Sequence, residues 1–387
     1  MPLAATASPD GRALVLSLGG WRQQGIQILD RGTGTVVQEI PQPGAFLGLA
    51  WATDGRTLYA SGGVADAIYI YAWHAGRAHP AVLVDSIVLA QPDSSALGSR
   101  YPAGIAVSRD GRLLYVVENL SDSLAVVDLG SRRVVQQVSA GPYPYGVVAA
   151  PDGQVFVSNW GSGTVSVFRS AGDGRLAAEH PIDAGRHPSA LLLSADGRRL
   201  FVASASTDRV AVVDPAAHRV LRWLADPPPG GISEGSTPNA LALSPDGARL
   251  YVAEADANAI AVFRLSRSSS GTDPGAAGID SLIGRVPTEW YPTALLATQD
   301  SLWVVNGKGT GAGPNPGGAQ PDVSIAKVDP HTYVLGQLSG TLLALPIPDD
   351  GELTSLTLRV ARANGWSEGR TKGPAHYPPF EHVIYII

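Results

Sequence analysis

The chain has 387 residues, 44% hydrophobic and only 16% charged, with 45 glycines and 30 prolines. That mixture suits short strands joined by tight turns better than long solvated helices. A net charge of −6 without any run of Lys or Arg argues against a nucleic-acid partner, and the lack of cysteine removes disulfides, thiolate metal sites and cysteine nucleophiles together.

No stretch approaches the roughly 20 apolar residues a membrane-spanning helix needs, so no membrane span is expected. Met1 is not followed by the charged and then apolar segments of a secretory signal. Repeat structure begins within the first ten residues. The expectation is a cytoplasmic protein, or one whose true N-terminus has been removed.

In chain order, a degenerate ten-residue segment then recurs. It reads Ser8-Pro-Asp-Gly-Arg12, Thr53-Asp-Gly-Arg-Thr-Leu-Tyr-Ala60, Ser108-Arg-Asp-Gly-Arg-Leu-Leu-Tyr-Val-Val117 and Ala150-Pro-Asp-Gly-Gln-Val-Phe-Val-Ser158. It continues as Ser194-Ala-Asp-Gly-Arg-Arg-Leu-Phe-Val-Ala203, Ser244-Pro-Asp-Gly-Ala-Arg-Leu-Tyr-Val-Ala253 and, with the glycine lost, Gln299-Asp-Ser-Leu-Trp-Val-Val305. The anchoring residues Asp10, Asp54, Asp110, Asp152, Asp196, Asp246 and Asp300 span 290 positions, about 48 residues per repeat.

Within a repeat, a short run of small apolar residues such as Gly104-Ile-Ala-Val-Ser108 predicts an innermost strand. Asp-Gly supplies the positive-φ positions of a tight hairpin, and Leu-Tyr-Val-Ala opens the second strand. Ser123-Leu-Ala-Val-Val-Asp128 alternates as a third strand and Arg133-Val-Val-Gln-Gln-Val138 supplies the fourth. No repeat spaces its apolar residues by 3.6, which excludes a helical solenoid. The expected fold is all-β, a seven-bladed β-propeller over residues 1–348.

The seventh blade reads as incomplete. Its strands are Thr293–Ala297, Leu302–Asn306 and Gly340–Pro346, which leaves its outer edge unpaired unless Val323–Val328 folds back onto it. A helix follows, with Asp349-Asp350 as cap, Leu353, Leu356 and Val360 as its apolar stripe, and Asn364-Gly365 as its end. Helix and a polar linker occupy 349–381. The apolar run His382–Ile387 reads as the first strand of a further, truncated domain.

The Leu-Tyr-Val and Phe-Val-Ser-Asn segments resemble the YVTN family of propellers. The longer stretches Leu58–Gly63, Tyr143–Gly146, Val157–Gly161, Ser236–Leu241, Glu289–Thr293 and Val305–Gly309, with Pro346-Ile-Pro348 and His382–Ile387, narrow the likeness. They resemble bacterial two-part proteins in which a YVTN propeller precedes a phosphoesterase domain of the alkaline-phosphatase superfamily. The resemblance implies an intramolecular phosphoesterase partner, and a divalent metal bound there but not in this stretch. It also implies a periplasmic or secreted location; the chain shows no signal peptide, which leaves the cytoplasm open.

Catalytic motifs are weak. Gly231-Ile-Ser-Glu-Gly235 and Gly365-Trp-Ser-Glu-Gly369 match the nucleophile-elbow pattern but lack its strand-to-helix setting. Gly307-Lys-Gly-Thr-Gly-Ala-Gly313 lacks the leading glycine of a phosphate loop, because Leu302 stands there. The eight histidines form no i, i+4 pair. A recurring residue before proline stands out at Tyr101, Tyr143, His187, Thr237 and Tyr291. These connectors and the loops after the second strands should converge on one face. They would bring Asn119, Asn159, Trp160, Trp290, Asn306 and Lys308 to a rim that binds a small molecule or a protein. The competing role for the Tyr-Pro pairs is packing between blades.

The expected function is therefore a non-catalytic propeller that docks onto, or gates, a phosphoesterase. The alternatives are a lactonase-type propeller hydrolase and a surface-protein interaction module. The hydrolase needs convergent His, Glu and Arg at the channel mouth, where Glu118 and Glu254 are the only obvious acids.

Overall fold

Each Ser-x-Asp-Gly segment folds into the hairpin its residues demand. In the first, the Ser8 hydroxyl donates to Asp10 Oδ1 at 2.6 Å while accepting the Ala13 N–H at 2.9 Å. Gly11 takes the left-handed conformation, with φ of 70°. The same side-chain bond recurs at 2.6 Å in Ser108–Asp110, Ser194–Asp196 and Ser244–Asp246.

These hairpins build seven antiparallel sheets, seen in a computed structural model that describes residues 1–20, 24–90, 99–170, 175–228, 235–266, 279–311 and 334–366. Strands a to d run from the axis outwards in each blade. Blade one comprises Pro2–Ala7, Ala13–Leu18, Gly25–Asp30 and Val36–Pro41; blade two comprises Leu49–Trp51, Thr57–Ser61, Ala67–Trp73 and Ala81–Val88. Blade three comprises Pro102–Val107, Leu113–Glu118, Ser123–Asp128 and Arg133–Ser139. Blade four begins with Pro144–Ala149, Gln154–Asn159 and Thr164–Ser170, and its outer strand is broken into Leu176–Ala178 and Ile182–Asp183. Blade five comprises Pro188–Leu193, Leu200–Ser204, Arg209–Asp214 and Arg219–Ala225; blade six comprises Pro238–Leu243, Arg249–Glu254, Ala259–Arg264 and Ser281–Pro287. The protein is thus a seven-bladed β-propeller.

The apolar cores lie between blades, so no blade is an independent unit. One cluster joins Val117, Leu124 and Val126 of blade three to Val155, Val157 and Phe168 of blade four. Another joins Phe201 and Val212 of blade five to Leu250 and Phe263 of blade six. The ring closes where Pro2–Ala7 packs on Trp290–Ala297, around Leu16, Leu29, Ala294 and Val305.

Crossovers between blades share one device. Asp66, Asp122, Asp208 and Asn258, in the loops between strands b and c, all adopt the left-handed conformation, with φ between 46° and 50°. Each carbonyl accepts the N–H that ends its own blade's strand d, from Leu89, Ala140, Asp226 and Thr288 respectively. Each side-chain oxygen accepts an N–H from the next connector: Tyr101 at 2.8 Å, Tyr143 at 2.9 Å, Thr237 at 3.3 Å and Tyr291 at 2.9 Å. In blade four, Gly163 keeps the backbone bond, to the Ala184 N–H at 2.9 Å, without the side chain.

Blade seven shows three strands among the described residues, Trp290–Ala297, Ser301–Gly309 and Thr341–Pro346. Helix Asp350–Ala363 follows, and its capping box is formed: Asp349 accepts the Glu352 N–H at 2.8 Å while Glu352 accepts that of Asp349 at 3.2 Å. Leu353 packs with Val286 of blade six, and Leu343, Leu345 and Leu356 adjoin the same cluster. A Cβ at Gly284 would stand 2.6 Å from the Leu353 side chain, so strand d of blade six needs glycine to admit the helix. No helix among the described residues is long and apolar enough to cross a membrane. Val323–Val328 and His382–Ile387 lie outside the described residues.

The crossover clamp is most heavily used at Asp66, which accepts three backbone N–H groups and the Ser99 hydroxyl. Burial opposes its ionisation, yet those bonds together hold its carboxyl below the ordinary range. A depressed carboxyl stabilises the fold above its unfolded pKa, and the gain is lost as pH falls through the folded value. Asp66→Ala is expected to cost about 3 kcal/mol at pH 7 in urea unfolding, and progressively less below pH 4. A pH-independent loss would show that the carboxylate charge plays no part.

Candidate functional site

The face predicted for the rim exists. Tyr101, Tyr143, His187 and Tyr291 sit on its connectors with φ between 49° and 62°. The loops after the second strands meet them there: Asn119 N–H donates to the Tyr101 carbonyl and Trp160 N–H to that of Tyr143. Trp160 and Tyr143 are 42% and 52% exposed, and Trp290 is exposed nearby on the blade-seven connector. Lys308 places its ammonium 3.8 Å from the centroid of the Tyr291 ring.

Two predicted rim residues are not on the rim. Asn159 and Asn306 are fully buried. Asn159 Nδ2 donates to Thr164 Oγ1 and Ser166 Oγ at 3.0 and 2.9 Å, and its Oδ1 accepts the Gly141 N–H at 3.0 Å. Asn306 Nδ2 reaches Thr341 Oγ1 at 3.4 Å. Asn306 lies within the longer strand b of blade seven, Ser301–Gly309, and Asn159 occupies the last position of strand b in blade four, where the side chain turns between sheets instead of outward. Glu118 and Glu254 occupy the same position and are buried too, so neither acid reaches the mouth. Glu118 accepts the Ser123 hydroxyl at 2.6 Å, and Glu254 pairs with Arg285 at 2.8 Å.

The axis holds a cavity of about 410 Å³ lined by the inner strands. Leu3, Tyr145, Ser189, Asn239 and Thr293, each following the proline at or near the start of a strand a, line it. Sequence reasoning singled out the residue before each proline and missed the one after. Strand alternation was the available signal: if the residue before proline caps the rim, the one after it faces the axis. Apart from the Met1 amine, the titratable groups of the lining are the hydroxyls of Tyr145 and Tyr291. Burial, with a smaller contribution from Tyr291, pushes the Tyr145 hydroxyl up to about 12. It stays protonated across the neutral range and remains a hydrogen-bond donor.

At the mouth, Asn119, Tyr143, Tyr145 and Trp160 surround a further hollow of about 270 Å³. Asn119 is fixed by its bond to the Pro144 carbonyl at 2.8 Å. Phe46 packs edge-on against both Tyr101 and Tyr145, at 5.2 and 6.4 Å between centroids. His187 stacks on Trp160 with centroids 3.9 Å apart and rings 13° from parallel. Its Nδ1 lies 2.6 Å from Ser206 Oγ, and Arg186 donates to the Ser206 carbonyl at 2.9 Å. Among the described residues, no group of three or more His, Asp or Glu is arranged to hold a metal ion.

Two family models match parts of the chain. The SMP-30/gluconolactonase/LRE-like region matches residues 92–206, and the seven-bladed β-propeller lactonase matches residues 176–277. No curated protein matches. Among solved structures, the chain is similar to hydrazine synthase of Kuenenia stuttgartiensis, at 21% identity over 79% of this chain and 92% of that one, with a TM-score of 0.61. It is similar to the periplasmic gluconolactonase of Pseudomonas aeruginosa at 22% identity over 74% and 85%, with a TM-score of 0.55. It is also similar to a putative 6-phosphogluconolactonase of Bacteroides fragilis at 18% identity over 76% and 86%, with a TM-score of 0.58. At these identities the structural likenesses speak for the fold alone.

The family matches overturn the expectation of a non-catalytic docking module, since both are to lactonase-type propellers and neither is to a phosphoesterase.

The two kinds of site residue differ in what they hold up. Asn159→Ala is expected to cost about 2–3 kcal/mol, because it strands buried donors and acceptors, whereas Trp160→Ala should cost about 1 kcal/mol or less. Chemical denaturation of both variants checks this, and equal losses would place Trp160 in the packing rather than at a site. The chain is a seven-bladed propeller similar, over part of its length, to lactonase propellers.

Proposed function

We propose that this chain is a lactonase-type propeller that opens a cyclic ester at the aromatic mouth of its channel. The observation that carries the reading is positional. Tyr143, Tyr145, Trp160 and His187 all fall within the stretch matched by the gluconolactonase-like model, and His187 and Ser206 lie in both matched stretches.

Hydrolysis adds water to the lactone carbonyl and breaks the ring C–O bond, and the departing ring oxygen takes a proton to leave a hydroxy acid. His187 is the imidazole at this mouth. With Nδ1–H donating to Ser206 Oγ, its Nε2 is left to take a proton from the attacking water, a tautomer assigned here from that bond. Trp160 holds the imidazole plane by stacking and, with Tyr143, offers a flat apolar wall to a ring-shaped substrate. The persistently protonated Tyr145 hydroxyl supplies a donor for charge developing on the carbonyl oxygen.

Acid release from a panel of γ- and δ-lactones, with spontaneous hydrolysis subtracted, tests the proposal. His187→Ala is expected to lower kcat/KM by about 10²-fold or more, and Tyr145→Phe by roughly tenfold. A chain that accelerates none of the lactones, or variants with wild-type rates, would falsify it.

A further inference from the structure

Blade five ends unlike its neighbours. The residue that closes strand d and donates to the left-handed crossover carbonyl is Leu89, Ala140, Ala184 and Thr288 in blades two, three, four and six. In blade five it is Asp226, which is completely buried, with both carboxylate oxygens lacking a donor. A bare carboxylate in that setting is untenable, because the cost of removing the charge from water exceeds the cost of protonating it.

The groups around it explain where the proton goes. Glu254, from strand b of blade six, is also fully buried and takes Arg285 Nε on both oxygens, at 2.9 and 2.8 Å. Arg285, from strand d of blade six, spends Nη2 on the backbone carbonyls of Asp226 and Pro227, at 2.7 and 3.3 Å. Trp366 covers the guanidinium at 5.3 Å. Asp208 faces the pair from the preceding loop; its Oδ1 accepts the Ser236 and Thr237 N–H groups, and its Oδ2 has no donor. The described cluster therefore holds three carboxyl groups and one guanidinium.

We propose that Asp226 carries a proton at neutral pH and donates it in a hydrogen bond to Glu254, forming a proton-dependent clasp between blades five and six. Glu254 is already neutralised by Arg285, so it is the acceptor and Asp226 the donor. Burial first, and the Glu254 charge second, drive the Asp226 carboxyl well above its ordinary range, against the smaller opposing pull of Arg285. Arg285 brings the two groups together, since it holds Glu254 through Nε and the Asp226 carbonyl through Nη2. The clasp grips the carbonyls of Asp226 and Pro227, where the chain leaves blade five for the crossover that ends at Thr237 on the rim. This inference does not depend on the proposed lactone chemistry.

A raised carboxyl pKa stabilises the fold fully below the unfolded value of about 4, and that gain is lost as pH climbs through the folded value. Asp226→Asn keeps a donor for Glu254 that does not titrate. Its melting temperature relative to the wild type is therefore expected to rise by about 3 °C or more between pH 5 and pH 9. Infrared spectra of the wild type at pH 7 should contain the carbonyl band of a protonated carboxylic acid, absent from Asp226→Asn. Glu254→Gln removes the carboxylate that Arg285 neutralises and leaves that guanidinium to Asp226, so it too should lack the band, which keeps the test open if Asp226→Asn does not fold. A melting difference that is flat in pH, or a wild-type protein without the band, overturns the clasp.

Discussion

The ring is held in register by one small interaction repeated around it. A left-handed Asp or Asn between strands b and c ties its own blade's end to the start of the next. Its carbonyl takes the N–H that closes strand d, and its side chain takes the N–H of the residue before the next inner-strand proline. Proline cannot donate, so that preceding N–H is the last backbone donor before the inner strand, and the clamp satisfies it where water is scarce. The same bond fixes the angle at which each connector reaches the mouth. Fold and site thus rest on one contact.

A second ring lies just inside the first. The last residue of strand b is polar and buried in blades two to six: Ser61, Glu118, Asn159, Ser204 and Glu254. Each finds a different partner. Ser61 accepts the Gly48 N–H, Glu118 takes serine hydroxyls, Asn159 spans a turn, and Glu254 requires a guanidinium. Buried polar groups of this kind make adjacent sheets specific to one another, since each must meet its own partner or remain unsatisfied. Blade six, where Glu254 and Arg285 form a charged pair sealed from solvent, is where protonation and geometry become coupled.

The mouth inherits its chemistry from these constraints. The axial cavity is lined mainly by small and aliphatic side chains, with Ser189, Asn239, Thr293, Tyr145 and Tyr291 as its polar members beside the Met1 amine. Ionisable groups collect on the rim, where His187, Arg186 and Lys308 each already engage a neighbour.

Much of the fold was legible along the chain. Asp-Gly at a period near 48 residues, strand-length apolar runs and the lack of a 3.6 spacing specify blades and their number, because hairpin chemistry is local. The helix cap at Asp349 was readable for the same reason. The rim was legible only in part: Tyr143, Trp160 and His187 reach it, whereas Asn159 and Asn306 are buried within their sheets. Tyr145 went unnoticed, as did the partnership of Asp226 with Glu254 and Arg285, residues 28 and 31 positions apart from one another in successive blades. Sequence determines what each strand and turn must be, since those depend on neighbours within a few residues. Which side of a strand meets the axis, and which buried charges face each other across blades, was decided by closure of the ring, because only closure brings distant strands within bonding distance.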